Sequence, residues 1–325
     1  MAQEARGVNK YTQEMFSRIP KYIKETKTIN IDVPKYLGNG KSFSGSIIAF
    51  WLANTFKKYD LVHNFYFNVG MHANTTLTTV YDLREFKGTF VDTWAARQWL
   101  KSDYLIAISS QTAEELIQKG YPKNRIFTVN IGINDKFFKK EIKKKPQNKV
   151  FKIGCISSFE KNKNIVNTVK AIKTYIFKLK YEFDFYGPGG TEENAIKNEI
   201  SKTQYIHIMG YIPMKKIVET YDSFDAFIFP SLYEGFGLPI LEAQARGVPV
   251  IILKHAVIPK EVRKYCFEAE DLTNMMSIIE NIKEKGYNEK LRKKATEYAR
   301  SFTWDRCTKE TLEVYNKVAE DVENL

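Results

Sequence analysis

Two glutamates and a lysine are the residues in this sequence with the clearest capacity for chemistry. Glu234 stands in a glycine-bearing loop, and Glu242 follows in a segment, Leu238–Arg246, whose pattern predicts a helix. A carboxylate can accept two hydroxyl groups at once, so both residues suit a ligand with a vicinal diol, such as a ribose or a sugar. Lys163 lies in another loop, where it could meet a phosphate as a point charge. Together these residues indicate a phosphorylated ligand that carries hydroxyl groups.

Each of these residues also has a plainer explanation. Glu242 could serve only the positive end of a helix dipole. Lys161 and Lys163 could be solvated loop lysines in a lysine-rich chain. Glu234 is harder to explain structurally, because it lies beside a glycine rather than in a helix. The glycine Gly187, after another strand, would permit a tight turn and a close backbone approach, but such turns are common.

Three short strands in the second half of the chain position these loops. In open α/β sheets, ligands bind beyond the carboxyl ends of the strands, so loops that follow parallel strands face one crevice. Helices are predicted between the strands, including one at Ile165–Leu179. The predicted strands are Phe151–Ile156, Glu182–Tyr186 and Asp225–Phe229, and the loops after them are Ser157–Asn164, Gly187–Gly190 and Ser231–Leu238.

The alternation of strands and helices runs through both halves and predicts an α/β fold with two Rossmann-like, doubly wound parallel-sheet domains. The 325 residues suffice for two domains. We predict a first domain over 1–145, ending in a lysine-rich connection, a second over 146–303, and a last helix over 304–325 that crosses back to the first domain. First-half predictions include strands at Thr28–Val33, Leu61–Phe65, Leu77–Tyr81, Tyr104–Ser109 and Arg125–Val129, and helices at Tyr11–Glu25, Phe90–Lys101 and Gln111–Lys119.

Composition restricts the classes of partner. The formal charge of +12 indicates an anionic partner: a phosphorylated small molecule, an acidic membrane surface or nucleic acid. Nucleic acid is disfavoured, because no recognition module is visible. The 3 cysteines form no CxxC pair and predict reduced thiols in an intracellular protein. No apolar run in the sequence is long enough to span a membrane. With 4 histidines and no paired ligand spacing, no metal site is expected.

The sequence PSLYEGFGLPILEAQARGVPVI resembles the EX7E signature of family 4 (group 1) retaining glycosyltransferases, which have the GT-B fold. The resemblance extends to SSFEKNKNI and IHIMGY in the second half. In the first half it extends, more loosely, to the Gly7 loop and to TVYDL. It covers roughly residues 5–260 and implies two Rossmann-like domains facing a central cleft.

The resemblance also implies roles for individual residues. Glu234 and Lys163 would be catalytic, with Glu234 on the donor sugar and Lys163 on the diphosphate, and Glu242 would bind the ribose hydroxyls. The resemblance implies that neither a metal nor a cofactor is needed, and that the donor is a nucleotide-diphosphate sugar such as a UDP-, GDP- or ADP-sugar. The other donor-binding residues would be Gly235, Phe236, Gly237, Leu238, Gly7, Ser158, Lys161, Gly187, Tyr211 and Ile212, and the acceptor or sugar side would include Tyr81, Asp82 and His72.

Three departures from the family pattern keep alternatives open. Tyr81 stands at the family's histidine position, and Ser158 stands where many relatives have an arginine. The chain also begins almost at the Gly7 loop, so either the first domain lacks the family's first strand or the N-terminus of the sequence is trimmed. The alternatives are a weak or inactive sugar-nucleotide-binding relative and a GT-B sugar-nucleotide epimerase. A DNA-base glucosyltransferase is a minor variant.

The acceptor is expected to be a glycan, a lipid-linked molecule or a small molecule. The segment 16–24 mixes bulky apolar and basic residues, which suits an acidic membrane surface carrying a lipid-linked acceptor. The alternative is an ordinary amphipathic helix packed on the sheet. The expected location is cytoplasmic, with peripheral contact at the inner membrane face as a variant. His63 is expected to be a hydrogen-bonded structural residue.

Overall fold

The computed structural model describes residues 7–23, 59–65, 73–83, 100–138, 150–177, 180–201 and 203–323. The chain divides into two compact units, one of Met1–Gly132 with Trp304–Leu325 and one of Ile133–Thr303. Several sequence predictions fall outside the described residues. They are the strand at Thr28–Val33, nearly all of the helix at Phe90–Lys101, His72, and most of the lysine-rich connection.

Among its described residues, the first unit contains a parallel sheet of 4 strands in the order β1-β2-β3-β4. The inner strand β3 is buried along its whole length, as expected for a parallel strand covered on both faces. Helix α1 begins at Gly7 and ends at Arg18, just before Pro20, so it is shorter than predicted. The described elements are α1 (Gly7–Arg18), β1 (Tyr59–Asn64), β2 (Ala73–Val80), β3 (Tyr104–Ala107), α2 (Ser110–Gln118) and β4 (Ile126–Thr128).

The last helix, α10 (Trp304–Glu323), belongs to the first unit. Its buried residues recur at helical spacing and form one face toward the core of this unit. Trp304 lies 5.9 Å from the ring of Tyr11 in α1, between ring centroids. Tyr104 of β3 donates a 3.3 Å hydrogen bond to Asp321 near the end of α10. The helix therefore packs against both α1 and the sheet of the first unit.

The described part of the second unit contains a parallel sheet of 6 strands in the order β10-β9-β8-β5-β6-β7. Strands β8 and β9 are completely buried, and this explains their continuous apolar sequences. The α/β prediction with two parallel-sheet domains is confirmed. The elements are β5 (Phe151–Ile156), α3 (Ile165–Thr174), β6 (Tyr181–Tyr186), α4 (Glu193–Ile200), β7 (Ile206–Gly210), α5 (Ile217–Ser223), β8 (Ala226–Phe229), α6 (Leu238–Ala245), β9 (Val250–Leu253), α7 (Lys260–Arg263), β10 (Phe267–Ala269), α8 (Leu272–Lys285) and α9 (Glu289–Arg300).

The secondary structure of the second unit differs from the sequence analysis in two respects. The helix predicted over Ile165–Leu179 ends at Thr174, because the backbone of Tyr175 is extended. Elements α7 and β10 were not predicted, because runs of 4 and 3 residues are too short to show a period.

In the described part of the chain, no helix combines the length and apolarity needed to cross a membrane.

Candidate functional site

The loops after β8, β5 and β6 lie at one edge of the second sheet, because these three parallel strands are neighbours. Backbone hydrogen bonds connect the loops directly. The amide of Ser157 donates to the carbonyl oxygen of Tyr186 at 3.0 Å, and the amide of Leu232 donates to Asn162 at 2.8 Å. The three loops therefore form one connected surface, with the loop after the central strand β5 in the middle.

Gly187 is required for the contact between the loops after β5 and β6. A Cβ atom at this position would lie 1.9 Å from the carbonyl oxygen of Ser157. The amide of Gly187 also donates to the carbonyl of Gly210, at the end of β7, at 3.0 Å. The structure accordingly bears out the close backbone approach expected from the sequence at Gly187, and its partner is the protein's own backbone.

Lys163 and Glu234 form an ion pair across the loops after β5 and β8. The Nζ atom of Lys163 lies 2.5 Å from Oε1 of Glu234, and the two side chains are 12% and 10% exposed. A 3₁₀ turn at Lys161–Lys163 ends in Asn164, which has a left-handed backbone with φ 59°, and α3 starts directly after it. The amide of Glu234 donates to the carbonyl of Val257 at 2.9 Å. The turn and this backbone bond hold a cation and an anion together at the sheet edge.

Glu242 lies on α6, past its first turn, and half-buried. Helix α6 starts at Leu238 and has no acidic residue in its first turn. The interpretation of Glu242 as a partner of the helix dipole is therefore wrong, since that effect is confined to the terminal turn. Its Oε2 atom instead accepts a 2.8 Å hydrogen bond from the hydroxyl of Tyr221, on the neighbouring helix α5.

The start of α6 has the general features of an anion-binding helix N-terminus. Gly237 precedes the helix with φ 101°, a conformation that side chains other than hydrogen rarely permit. The first amides of a helix have no partner inside the helix, and Pro239 has no amide hydrogen at all. The amides of Gly237 and Leu238 are thus the natural donors at this end. Phe236 turns its ring into the core, where it is 4% exposed and packs against Phe302.

The remaining donor-side candidates differ in exposure. Ser158 is half-buried and Lys161 is exposed, both in the loop after β5. Tyr211 is 52% exposed directly after β7, and Ile212 beside it is half-buried. Gly235 is buried within the loop after β8. All of these residues lie in the second unit, beyond the carboxyl ends of its strands.

The candidates in the first unit form a separate group. Gly7 is the first residue of α1. Tyr81 follows β2 and donates a 2.8 Å hydrogen bond to the carbonyl of Phe65, and Asp82 comes directly after it. A tyrosine held in this way can donate a hydrogen bond but cannot replace a histidine as a base near neutral pH.

Among the described residues, no cluster of three or more His, Cys, Asp or Glu could hold a metal ion. Two of the cysteines, Cys155 and Cys307, are buried free thiols, and burial raises the pKa of each to about 12. Both therefore stay protonated and act as small apolar residues.

The basic and apolar segment 16–24, predicted to suit a membrane surface, is described as far as residue 23 and is only partly buried. Ile19 is buried in the first unit, whereas Lys21 and Tyr22 are exposed. Arg18 forms ion pairs with Glu14 and with Asp305, the latter at 3.0 Å. The described part of this segment is consistent with the alternative, an amphipathic helix packed on its own domain.

His63 is the structural histidine that the sequence indicated. Its Nδ1 atom lies 2.6 Å from the hydroxyl of Tyr315 and its Nε2 atom 2.8 Å from the hydroxyl of Thr79. The ring also stacks against Phe65, with centroids 4.2 Å apart. Burial lowers the pKa of His63 to about 3. The folded protein therefore holds a neutral imidazole that joins β1, β2 and α10.

We expect His63 to make the protein less stable as the solution is acidified. Since its pKa is lower in the folded state, its stabilising contribution is complete above pH 6.5 and is lost as pH falls toward 3. The unfolding free energy should fall by up to about 1.4 kcal/mol per pH unit in this window. Urea unfolding measured from pH 4.5 to 7 gives the unfolding free energy as a function of pH. This free energy should depend less steeply on pH in His63→Gln than in the exposed control His255→Gln. Equal slopes for the two variants would contradict the prediction.

Two residues at this site were missed by sequence analysis. Tyr221 lies at helical spacing from Ile217, so its pattern indicates only a core position. Arg246 appears in the sequence as a cation at the end of a helix, yet its side chain is 0% exposed and ion-paired to Asp222. A charged residue directly after the largely apolar helix α6 is the sequence signal that could have identified it.

Known proteins resemble this chain in sequence and in fold. O-antigen chain mannosyltransferase B of Escherichia coli is 24% identical over 227 residues, which are 65% of this chain and 60% of that protein. The GtfA subunit of a UDP-N-acetylglucosamine–peptide N-acetylglucosaminyltransferase of Streptococcus pneumoniae is 29% identical over 160 residues, 46% of this chain and 30% of that protein. The chain thus spans 60% or less of the length of these two relatives.

The fold is shared with solved structures. Anabaena Alr3699/HepE, solved in complex with UDP and glucose, matches with a TM-score of 0.64 over 84% of this chain and 82% of that chain, at 14% identity. Such a likeness shows the fold alone, which is the predicted GT-B class. The family model described as glycosyl transferases group 1 matches residues 135–302 and contains the ion pair, the start of α6 and Glu242. This chain therefore belongs to the group 1 glycosyltransferases.

Proposed function

We propose that this protein is a retaining glycosyltransferase that moves a sugar from a nucleotide-diphosphate sugar to an acceptor without a metal ion or cofactor. One observation carries the proposal: Lys163 and Glu234 meet at 2.5 Å at the carboxyl edge of a parallel sheet. The cation suits a diphosphate, and the carboxylate beside it suits sugar hydroxyls. Glu242, on the adjoining helix, suits the hydroxyls of the ribose.

The proposed reaction replaces one bond to the anomeric carbon of the donor sugar by another. The bond from that carbon to the β-phosphate oxygen breaks, and its electron pair leaves with the nucleoside diphosphate. The acceptor hydroxyl oxygen bonds to the same face of the carbon, and its proton passes to the departing phosphate oxygen. Negative charge grows on the phosphate, so Lys163 and the amides at the start of α6 stabilise the transition state more than the bound donor.

The ion pair is compatible with donor binding. An ammonium group has three hydrogen-bond donors, so Lys163 can contact a phosphate oxygen while it stays beside Glu234. A carboxylate has two oxygen atoms, so Glu234 can accept sugar hydroxyls while it stays beside the ammonium. Lys163 would therefore serve both parts of the donor, the phosphate directly and the sugar through Glu234.

The named relatives indicate which donor sugar to test first. One relative is named as a mannosyltransferase of an O-antigen chain and another as a UDP-N-acetylglucosamine-dependent transferase to peptide. We infer a nucleotide-bound hexose as donor and propose a mannose-bearing donor as the first to test. The acceptor would be a growing glycan, a lipid-linked molecule or a small molecule, and a peripheral membrane contact would bring a lipid-linked acceptor within reach.

A thermal-shift panel of UDP-, GDP- and ADP-sugars tests this function. A donor at 100 times its dissociation constant should stabilise the protein by about 2.7 kcal/mol, with EDTA present. The same donor should be hydrolysed slowly in the absence of acceptor, and the released sugar should first appear with its original anomeric configuration. Glu234→Ala should abolish hydrolysis.

Each alternative predicts a different result. An inactive relative would bind a donor without hydrolysing or transferring its sugar. An epimerase would convert the donor into a second nucleotide sugar or release an epimer. No shift with any nucleotide sugar, or a shift and turnover unchanged in Glu234→Ala, would overturn the proposed function.

A further inference from the structure

A buried tyrosine is bonded to the glutamate that the proposed function assigns to the ribose. Tyr221, on α5, donates its hydroxyl to the Oε2 atom of Glu242, on α6, at 2.8 Å. The Tyr221 side chain is 0% exposed, whereas Glu242 is half-buried. The tyrosine therefore lies beneath the site and reaches it only through the carboxylate.

The ring of Tyr221 is fixed by aromatic packing. It meets Phe137 edge-on with centroids 5.6 Å apart, and it contacts Phe227 at 5.5 Å and Phe224 at 6.2 Å. These rings belong to the core of the second unit, where close packing leaves a side chain few alternative positions. The phenol oxygen is consequently held at a defined point facing α6.

The direction of the hydrogen bond is fixed as well. Burial, and then the adjacent Glu242 carboxylate, raise the pKa of Tyr221 well above its usual range. The phenol therefore keeps its proton, and a phenol has one proton to donate. Glu242 must be the acceptor, so its Oε2 atom is anchored by the phenol.

We propose that Tyr221 is a positioning residue for ribose recognition, because it fixes the conformation of Glu242 before the nucleotide binds. This inference rests on the proposed function, which assigns Glu242 to the ribose. Glutamate has three rotatable side-chain bonds, and ordering it during binding would weaken the affinity. An ionised carboxylate can accept about four hydrogen bonds, so the phenol bond is compatible with a second bond from each ribose hydroxyl.

Tyr221→Phe tests the inference, because it keeps the ring and removes the hydroxyl alone. Titration calorimetry would compare two ligands: the nucleoside diphosphate among UDP, GDP and ADP that the wild type binds best, and its 2′,3′-dideoxy counterpart. The variant should bind the first about tenfold more weakly. Its affinity for the dideoxy ligand should stay within about twofold of the wild-type affinity, because that ligand has no ribose hydroxyl to donate a hydrogen bond to Glu242.

The chain offers a matched control elsewhere in the same unit. Tyr175 donates its hydroxyl to Oε2 of Glu280 at 2.9 Å, the same pair of chemical groups as at the site. Tyr175→Phe should lower the melting temperature about as much as Tyr221→Phe and leave both affinities unchanged. In a Glu242→Ala background, Tyr221→Phe should cause no further loss of affinity, because its effect acts through the carboxylate.

The outcomes separate this inference from the proposed function. If the wild type prefers the ribose ligand and Tyr221→Phe keeps that preference, the inference is overturned and the function stands. If Tyr221→Phe weakens both ligands equally, or melts far below Tyr175→Phe, the phenol is only structural and the inference is again overturned. A wild type that binds no nucleoside diphosphate would overturn the proposed function itself.

Discussion

Replacing Asp222 with alanine should lower the unfolding free energy by about 3 kcal/mol. Asp222 is the carboxylate partner of Arg246, whose side chain is 0% exposed. The contact is bidentate, with Nε to Oδ1 at 2.7 Å and Nη2 to Oδ2 at 3.1 Å. Nη1 of the same arginine donates to the backbone carbonyl of Phe137 at 3.1 Å.

The loss is large because the substitution leaves a charge behind. An arginine cannot give up its proton near neutral pH, so Arg246 would stay charged and buried after losing its carboxylate, while it keeps its hydrogen bond to the Phe137 carbonyl. Taking such a charge from water without its partner costs several kcal/mol. Asp222 itself is 29% exposed, which admits some water and keeps the expected loss at the lower end of the range for buried pairs.

Urea denaturation of three variants measures the effect. Glu268→Ala is the matched control, because it breaks an arginine–carboxylate pair with Arg263 at 2.9 Å that is more exposed, and it should cost less than about 1 kcal/mol. The double variant Asp222→Ala with Arg246→Leu should be more stable than Asp222→Ala alone, since it removes the stranded charge. A loss for Asp222→Ala no greater than that of the control would contradict the argument.

The Arg246 pair also bears on the site. Arg246 directly follows α6, the helix that starts beside the loop of Glu234 and carries Glu242. Its contacts with Asp222, on α5, and with the Phe137 carbonyl hold the far end of that helix. Asp222 is next to Tyr221 in the chain, so α5 contacts α6 at two adjacent positions, one for stability and one at Glu242.

The sequence was sufficient to predict the alternating strands and helices of this fold. Buried parallel strands such as β8 and β9 are continuous apolar runs, so their existence and approximate bounds follow from the sequence. The three loops could be assigned to one edge because parallel strands share a direction. The positions of Lys163 and Glu234 in those loops were therefore predictable.

What the sequence could not give is the contact between side chains that are far apart in the chain. The neighbours of β5 are β8 and β6, and only this order makes Lys163 and Glu234 adjacent. The 3₁₀ turn after β5 ends at Asn164, which has a left-handed backbone. No glycine or proline marks this turn in the sequence, and an asparagine is a less specific signal for it. The pairing of Tyr221 with Glu242 likewise depends on how α5 packs beside α6.

Replacing Lys163 with alanine should lower kcat for the preferred donor by about 100- to 1,000-fold. The proposed function gives Lys163 the β-phosphate, where negative charge increases as the sugar departs. A contact that strengthens toward the transition state affects kcat more than KM, so KM should change much less. Steady-state kinetics with the donor identified by thermal shift would measure both quantities.

The controls separate chemistry from folding. Lys170→Ala removes an exposed lysine of α3 whose Nζ lies 3.7 Å from Glu199, and it should leave kcat within about twofold. Lys163→Ala also leaves Glu234, at 10% exposure, without its cation, so its melting temperature must be measured alongside. Lys163→Arg keeps the positive charge on a group of different shape, so its kcat should lie between those of the wild type and of Lys163→Ala.

The pattern of the kinetic constants decides what Lys163 does. If kcat stays unchanged while KM rises, Lys163 holds the donor equally in the ground and transition states and is not catalytic. If Lys163→Ala and Lys163→Arg lose activity equally and melt at the wild-type temperature, the exact placement of the ammonium beside Glu234 matters more than its charge. A loss confined to Lys163→Ala, with Lys163→Arg partly active, would assign Lys163 an electrostatic role at the departing phosphate.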